Sequence, residues 1–404
     1  MAVLDFQERV LSGIGKIPFQ EMAKAGIDSD EIKKQIITIL NPFFENENLL
    51  NDFALDSLPP EADNCMLLKQ NPNSFALFKN VLEIYRDAKK TNPEACYEAC
   101  AAMEFEVSEG LKIYWSTVHA EASKDDLGLS DFAFESFRQI GTIIEACIQP
   151  ILKELRFILK VSRNKEFDFT KGVEFGGIVD ELKSSDKLSR HLTFTKDDIL
   201  LNQVRNIAQH LNFQIQQNMI NVSYKNGEKK ASLSRGELDN LLEDILSTFN
   251  AVRLARVIFN VDNILGISNY INTRREHRDD QILFSIISGL MAKGYQCSSL
   301  VTQSEYIQIE LIEQQTPTRK RALAAMHYLS NVWKYSQKDR LKFSYLDKAG
   351  AYLVESILDK ESGLKLINKE ISVEDLFRNL SIKETHTKIS IFTRVFNWLK
   401  SIWS

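Results

Sequence analysis

The sequence predicts a mainly α fold: a multi-helix bundle interrupted by a β-hairpin, with an N-terminal helical region before it and a small C-terminal α+β unit after it. Three observations carry this. Apolar residues recur at three- and four-residue spacing through most of the 404 residues, as helices with one buried face require. Polar capping residues stand in front of these stretches. Strict apolar alternation is confined to the segment around Asn226-Gly227 and to part of the last third. A chain of this length has ample core for two or three domains, and the expected division is 1–125, 126–268 and 269–404.

In chain order, DSDEIKKQIITILNPFF (28–44), SFALFKNVLEIYRDAKK (74–90) and PEACYEACAAMEF (93–105) are expected helices separated by Asn/Pro-rich turns. A boundary is expected at SKDDLGLSD (123–131), followed by a long apolar-periodic run to Val161. Pro150 should kink that run and leave it intact. VEFGGIVDELKSS (173–185) and TKDDILLNQVRNIAQHLNF (195–213) are the next helices. Thr195 is suited to cap the second, and Asp197 and Asp198 suit its positive end. Asn226-Gly227 signals a hairpin because both residues accept positive φ. Ser234 and Glu237 form a capping box leading a long helix, RGELDNLLEDILSTFNAVRLARVIFNV. In the last third, QILFSIISGLMAKGY (281–295) is expected as a helix and SSLVTQSEYIQIELIEQ (298–314) as two strands. TPTRKRALAAMHYLSNVWKYS (316–336) and DRLKFSYLDKAGAYLVESILD (339–359) are expected as helices.

The net charge of −5 is unevenly spread. Residues 1–150 hold 13 Lys+Arg against 25 Asp+Glu, a balance of −12, whereas residues 151–235 hold 15 against 10, or +5. A polyanion is repelled by the first segment and tolerated by the second. Five cysteines at irregular spacing, Asp5 and Glu8 where a signal peptide needs basic and apolar residues, and no long uncharged apolar window together point to a soluble cytoplasmic protein.

Arginine and histidine lie five residues apart in LNQVRNIAQHLNF, where Arg205 is followed by Asn206 and His210 closes the stretch. The bare spacing is expected by chance roughly once in a chain of this composition. A second instance, Arg321 and His327, belongs to an ordinary amphipathic helix and is expected to be structural. What singles out the first is Asn206 and the setting: helices before it, a hairpin after it, then the capped helix.

This stretch resembles the Arg-polar-x3-His signature of HEPN domains, over about residues 128–265. The resemblance implies a metal-independent endoribonuclease without a cofactor. It implies a homodimer whose two motifs face one another, and a setting in bacterial toxin systems or antiviral defence such as abortive infection. Arg205, Asn206 and His210 would be its catalytic residues. The residue types suit that chemistry independently. Attack of a ribose 2′-OH on the adjacent phosphate needs a group that moves protons near neutral pH, which histidine supplies. The accumulating phosphate charge suits a planar guanidinium. On a regular helix, however, five residues separate the two by about 140°. A helix end, a distortion near Gln209 or a second chain is needed to bring them to one phosphate. The alternative is a non-catalytic protein whose HEPN-like bundle supplies dimerisation or RNA binding.

Other features weigh less. TRREHRDD (273–280) and TPTRKR (316–321) offer Arg274, Arg275, Arg278, Arg319 and Lys320 as RNA phosphate contacts. Cys96 and Cys100 lie one helical turn apart, but with His119 alone nearby they are too few for zinc, and no metal site is expected. SGIGKIP (12–18) lacks the glycine spacing of a phosphate loop. No nucleotidyltransferase signature is present. The acidic N-terminal region is a candidate surface for an inhibitor or activator protein. ISIFTRVFNWLKSIWS (389–404) is a Trp-bearing amphipathic helix, expected to dock within the protein or dimer in preference to a membrane.

Overall fold

The computed structural model describes residues 27–119, 126–166, 168–169, 172–271, 286–287, 289–330, 338–368, 370–372, 375 and 381–383. These are mainly helical, with small sheets. Residues 33–281 form one compact unit, and residues from 282 onward belong to another.

The chain order begins with α1 (Ser29–Leu40), which enters the first unit at Lys33, followed by α2 (Glu47–Phe53), α3 (Pro59–Gln70), α4 (Pro72–Thr91), α5 (Pro93–Ala102) and α6 (Glu104–His119). Asn46, Asn71 and Asn92 explain three of these starts, because each side chain accepts hydrogen bonds from first-turn N–H groups. Those donors have no partner inside the helix. Pro72 and Pro93 fill the first helical position, where a missing N–H costs nothing.

The run around Pro150 stays continuous through a change of pitch: α7 (Leu129–Thr142), a π turn (Ile143–Ile148) and α8 (Gln149–Ser162). Proline cannot donate to the carbonyl of Ala146, four residues earlier. That carbonyl instead faces α6, so close that a Cβ on Gly110 would stand 2.1 Å from its oxygen. Only glycine fits there.

Then follow α9 (Phe175–Lys183), a two-strand ladder of β1 (Thr193–Phe194) and β2 (Ile199–Leu200), and α10 (Leu201–His210). The expected start at Thr195 is corrected by this ladder. Thr195 and Asp198 take left-handed conformations, φ 65° and 49°, and form the turn between β1 and β2. Asp197 donates its N–H to the Thr195 hydroxyl at 3.3 Å, a local turn bond that competes with helix formation. Helix α10 therefore begins six residues later, on the apolar Leu201.

After α10 comes an antiparallel sheet of β3 (Phe213–Gln216), β4 (Met219–Tyr224) and β5 (Lys229–Leu233), in that order. Asn226 and Gly227 make the β4–β5 turn with φ of 57° and 89°. Ser234 and Glu237 exchange both bonds of a capping box at the head of α11 (Arg235–Asp262), and the short α12 (Ile264–Ile267) ends the series.

The boundary expected at residue 125 does not divide two domains. Helix α4 packs on both α8 and α11, and a buried polar network crosses the expected cut. Arg256 of α11 donates to Glu154 and Glu104, each at 2.8 Å, and Tyr85 of α4 donates to Glu154 at 2.6 Å. Burial pushes Glu154 upward from the ordinary carboxylate range. Burial also opposes charge on Arg256, but Glu154 and Glu104 outweigh it and hold the guanidinium protonated. Two further ties are the bidentate Arg253–Glu61 pair, at 2.7 and 2.9 Å, and Asp262, which accepts from Glu45 N and Asn46 N. Buried charges demand such partners, so the two segments share one core.

In the second unit, helical turns over 286–287 and 289–292 precede β6 (Tyr295–Thr302), β7 (Tyr306–Glu313), α13 (Arg319–Ser330), β8 (Arg340–Leu346), β9 (Tyr352–Asp359), α14 (Lys360–Ile367) and β10 (Ser381–Lys383). The sheet order is β10-β9-β8-β7-β6, with β7 and β8 parallel and every other pair antiparallel. Residues 339–359, expected to be helical, are the pair β8–β9. Leu341, Phe343 and Tyr345 alternate onto the face that also carries Ile307, Ile309 and Leu311. Gly350 at φ 81° turns the chain between the strands. Among the described residues, no helix is long and apolar enough to cross a membrane. The amphipathic stretch 389–404 lies outside the described residues.

Candidate functional site

Helix α10 is amphipathic for a simple reason of spacing. Leu201, Val204, Ile207 and Ala208 are buried, and Phe213 just beyond them packs its ring, tilted, against Phe137 of α7 with centroids 5.2 Å apart. Gly141 of α7 allows close contact, since a Cβ there would lie 3.3 Å from Ala208 Cβ. The opposite stripe, at positions i, i+3, i+4 and i+7, is Asn202, Arg205, Asn206 and Gln209.

That stripe gathers around one carboxylate. Arg205 Nη2 donates to Glu145 Oε1 at 2.7 Å and Nη1 donates to Asn206 Oδ1 at 3.2 Å, while Gln209 Nε2 donates to the second oxygen of Glu145. Glu145 sits on the π turn, where the extra residue per turn re-aims a side chain, as such bulges often do at functional sites. Sixty positions separate it from Arg205 in the chain, so sequence reasoning missed it. The only signal was Pro150, five residues on.

The cluster is incompletely satisfied. Arg205 Nε and Asn202 Oδ1 are buried without a hydrogen-bond partner among the described residues, and leaving such atoms unpaired costs about 1–3 kcal/mol each. The Arg205–Glu145 pair itself remains partly open to solvent.

His210 stands apart from this cluster. It is the last residue of α10, exposed, and among the described residues its ring has no hydrogen-bond partner. Leu211 follows in the left-handed region at φ 50° and is 39% exposed. Asn212 N donates back to Ile207 O at 3.1 Å, closing a Schellman-type end. The helix is therefore regular through His210 and stops immediately after it. Arg205 and Asn206 are brought together, and His210 projects from the helix end about 140° around the axis from Arg205.

The other proposed contacts divide. Arg321 is held by Glu313 at 2.7 Å and by the carbonyl of Lys293 at 2.8 Å, with its guanidinium 4.3 Å from the Tyr295 ring centroid. Glu313 is buried and also accepts from the Tyr345 hydroxyl, so Arg321 is part of a core. Lys320 is exposed at the start of α13. The side chain of Arg319 lies outside the described residues, as do Arg274, Arg275 and Arg278. Cys96 and Cys100 are buried free thiols. Among the described residues, no group of three or more His, Cys, Asp or Glu could hold a metal ion. Comparison with known proteins finds no matching family model, no matching curated protein and no matching solved structure.

Proposed function

We propose that residues 129–262 form a HEPN-like bundle and that the protein is a metal-independent endoribonuclease whose site is completed by a second copy of the chain. One observation carries this reading. The Arg205, Asn206 and Glu145 group and the exposed His210 share one short regular helix but face different directions, as two halves of a site shared between chains would. In the reaction, His210 takes the proton from a ribose 2′-OH, whose oxygen attacks the adjacent phosphorus. The bond from phosphorus to the 5′-oxygen breaks, and a proton is delivered to that oxygen. Products are a 2′,3′-cyclic phosphate and a 5′-hydroxyl. Arg205 neutralises the charge growing on the non-bridging oxygens. Glu145 and Asn206 hold the guanidinium in place, and the substrate phosphate displaces part of that ion pair.

A second reading has its own support. The engagement of Arg205 by Glu145 also fits a non-catalytic dimerisation or RNA-binding role. Cleavage of labelled RNA by the full chain separates the two. On the proposal, EDTA leaves the rate unchanged, His210→Ala and Arg205→Ala abolish cleavage at unchanged dimer mass and fold, and the 5′ fragments end in a 2′,3′-cyclic phosphate. Uncut RNA with wild-type protein supports the second reading, and unaltered cleavage by both variants contradicts the assignment of Arg205 and His210. The setting in toxin or antiviral systems is part of the same proposal, and toxicity on induction that His210→Ala removes is its test.

A further inference from the structure

The three-stranded sheet that follows His210 has one buried and one open face. Phe213, Val222 and Ala231 form one row across β3, β4 and β5, and Ile215, Ile220 and Leu233 form the next on the same face. Ile220, Val222, Ala231 and Leu233 are buried. The other face carries Gln214, Asn221 and Ser232 in one row, with Gln216 and the half-buried Met219 on one side of it and Ser223 and Lys230 on the other. Gln214, Gln216, Ser232 and Lys230 are exposed, and Asn221 and Ser223 are half-buried.

The chemistry of this face is unusual for a solvated sheet. The three strands, FQIQ, MINVSY and KKASL, contain no carboxylate in a chain of net charge −5. Amides and hydroxyls both donate and accept, which suits the mixed edges of unpaired bases and the ribose 2′-OH. At one end Lys225, Lys229 and Lys230 are exposed around the β4–β5 turn, against Glu228 alone.

The sheet is also fixed to the helix that carries the candidate site. Asn212 O accepts from Ser223 N at 3.0 Å, two residues past His210, and Gln203 Oε1 accepts from Lys225 N at 3.1 Å near the other end of α10. The open face therefore has a fixed position relative to His210.

We propose that the polar face of β3–β4–β5 is a docking platform for single-stranded RNA, with Gln214 and Asn221 contacting bases and with Lys230 and, from the adjoining turn, Lys225 contacting phosphates. That the docked strand is also the substrate rests on the function proposed above. The test uses the full chain carrying His210→Ala, so that the probe stays intact, and a fluorescein-labelled single-stranded RNA of about 15 nucleotides. Anisotropy is read over a salt series. Adding Lys225→Ala and Lys230→Ala is expected to weaken binding and to lower the slope of log affinity against log salt by about 1.4, roughly 0.7 per phosphate contact. Adding Gln214→Ala and Asn221→Ala instead is expected to weaken binding roughly tenfold at unchanged slope. Unchanged melting temperatures exclude misfolding. Absence of binding by the His210→Ala parent, equal affinity for duplex RNA, or face variants that bind like the parent would each overturn the platform, without bearing on cleavage. Loss of binding in the face variants beside a wild type that never cuts RNA would uphold the platform and overturn the ribonuclease reading.

Discussion

Arg256 and Arg205 are both held by glutamates in the same helical unit, yet their surroundings differ in kind. Arg256 is buried between Glu154 and Glu104, and Tyr85 completes Glu154. Arg205 reaches one half-open carboxylate, keeps a buried Nε without a partner among the described residues, and lies one turn from an orphaned Asn202 oxygen. Complete satisfaction is what a core network needs, because an unpaired buried charge destabilises. Incomplete satisfaction leaves donors for a ligand. The first cluster holds the fold together, and the second is where chemistry has room.

The largest expected effect breaks this comparison open. Arg256→Ala strands two buried glutamates and should cost about 3–5 kcal/mol in chemical denaturation. Arg205→Ala should cost under about 1 kcal/mol, as partly exposed pairs do. Equal costs would mean that Arg205 is structural. The same network bears on the acidic N-terminal helices as a partner surface. Removing residues 1–125 deletes Tyr85 and Glu104 and opens the core, so surface substitutions are the sounder probe of any partner there.

Asp63 on α3 gives the next effect. Both its carboxylate oxygens are buried without a hydrogen-bond partner among the described residues, and burial pushes its pKa up to about 7. The folded state thus binds more protons than the unfolded state between about pH 4 and pH 7. Its contribution to stability falls as pH rises through that window and levels off above it. Asp63→Asn should remove this fall and gain about 1–3 kcal/mol at pH 8, with little change at pH 4. Melting temperatures of both proteins across that range check it, and parallel pH profiles would refute it. The smallest effect concerns Leu211, where Leu211→Gly relieves left-handed strain worth about 1–2 kcal/mol. A thermal melt of the variant should rise by a few degrees, whereas a fall would show that the exposed leucine makes a stabilising contact.

Local chemistry was legible in the chain wherever one residue type decides a backbone. The capping box at Ser234 and the Asn226-Gly227 turn are of this kind. Competition between neighbours was not. Thr195 and Asp198 cap nothing because they are committed to a turn, and Leu341, Phe343 and Tyr345 alternate within a segment whose overall composition also suits a helix. Long-range assembly was least legible. Nothing local ties Glu104 to Arg256 or Tyr85 to Glu154 across the expected boundary, or Glu145 to Arg205. Pro150 announced a kink, but not that the relief would be a π turn presenting a carboxylate to the candidate site.

The central claim is that Arg205 of one chain works with His210 of another. Arg205→Ala and His210→Ala proteins, each inactive, should be mixed, allowed to exchange subunits and assayed for RNA cleavage. The account predicts recovery of about a quarter of wild-type activity, because half of the dimers are mixed and each of those holds one intact site of two. A wild type that cuts RNA beside a mixture that stays inactive would contradict a site shared between chains.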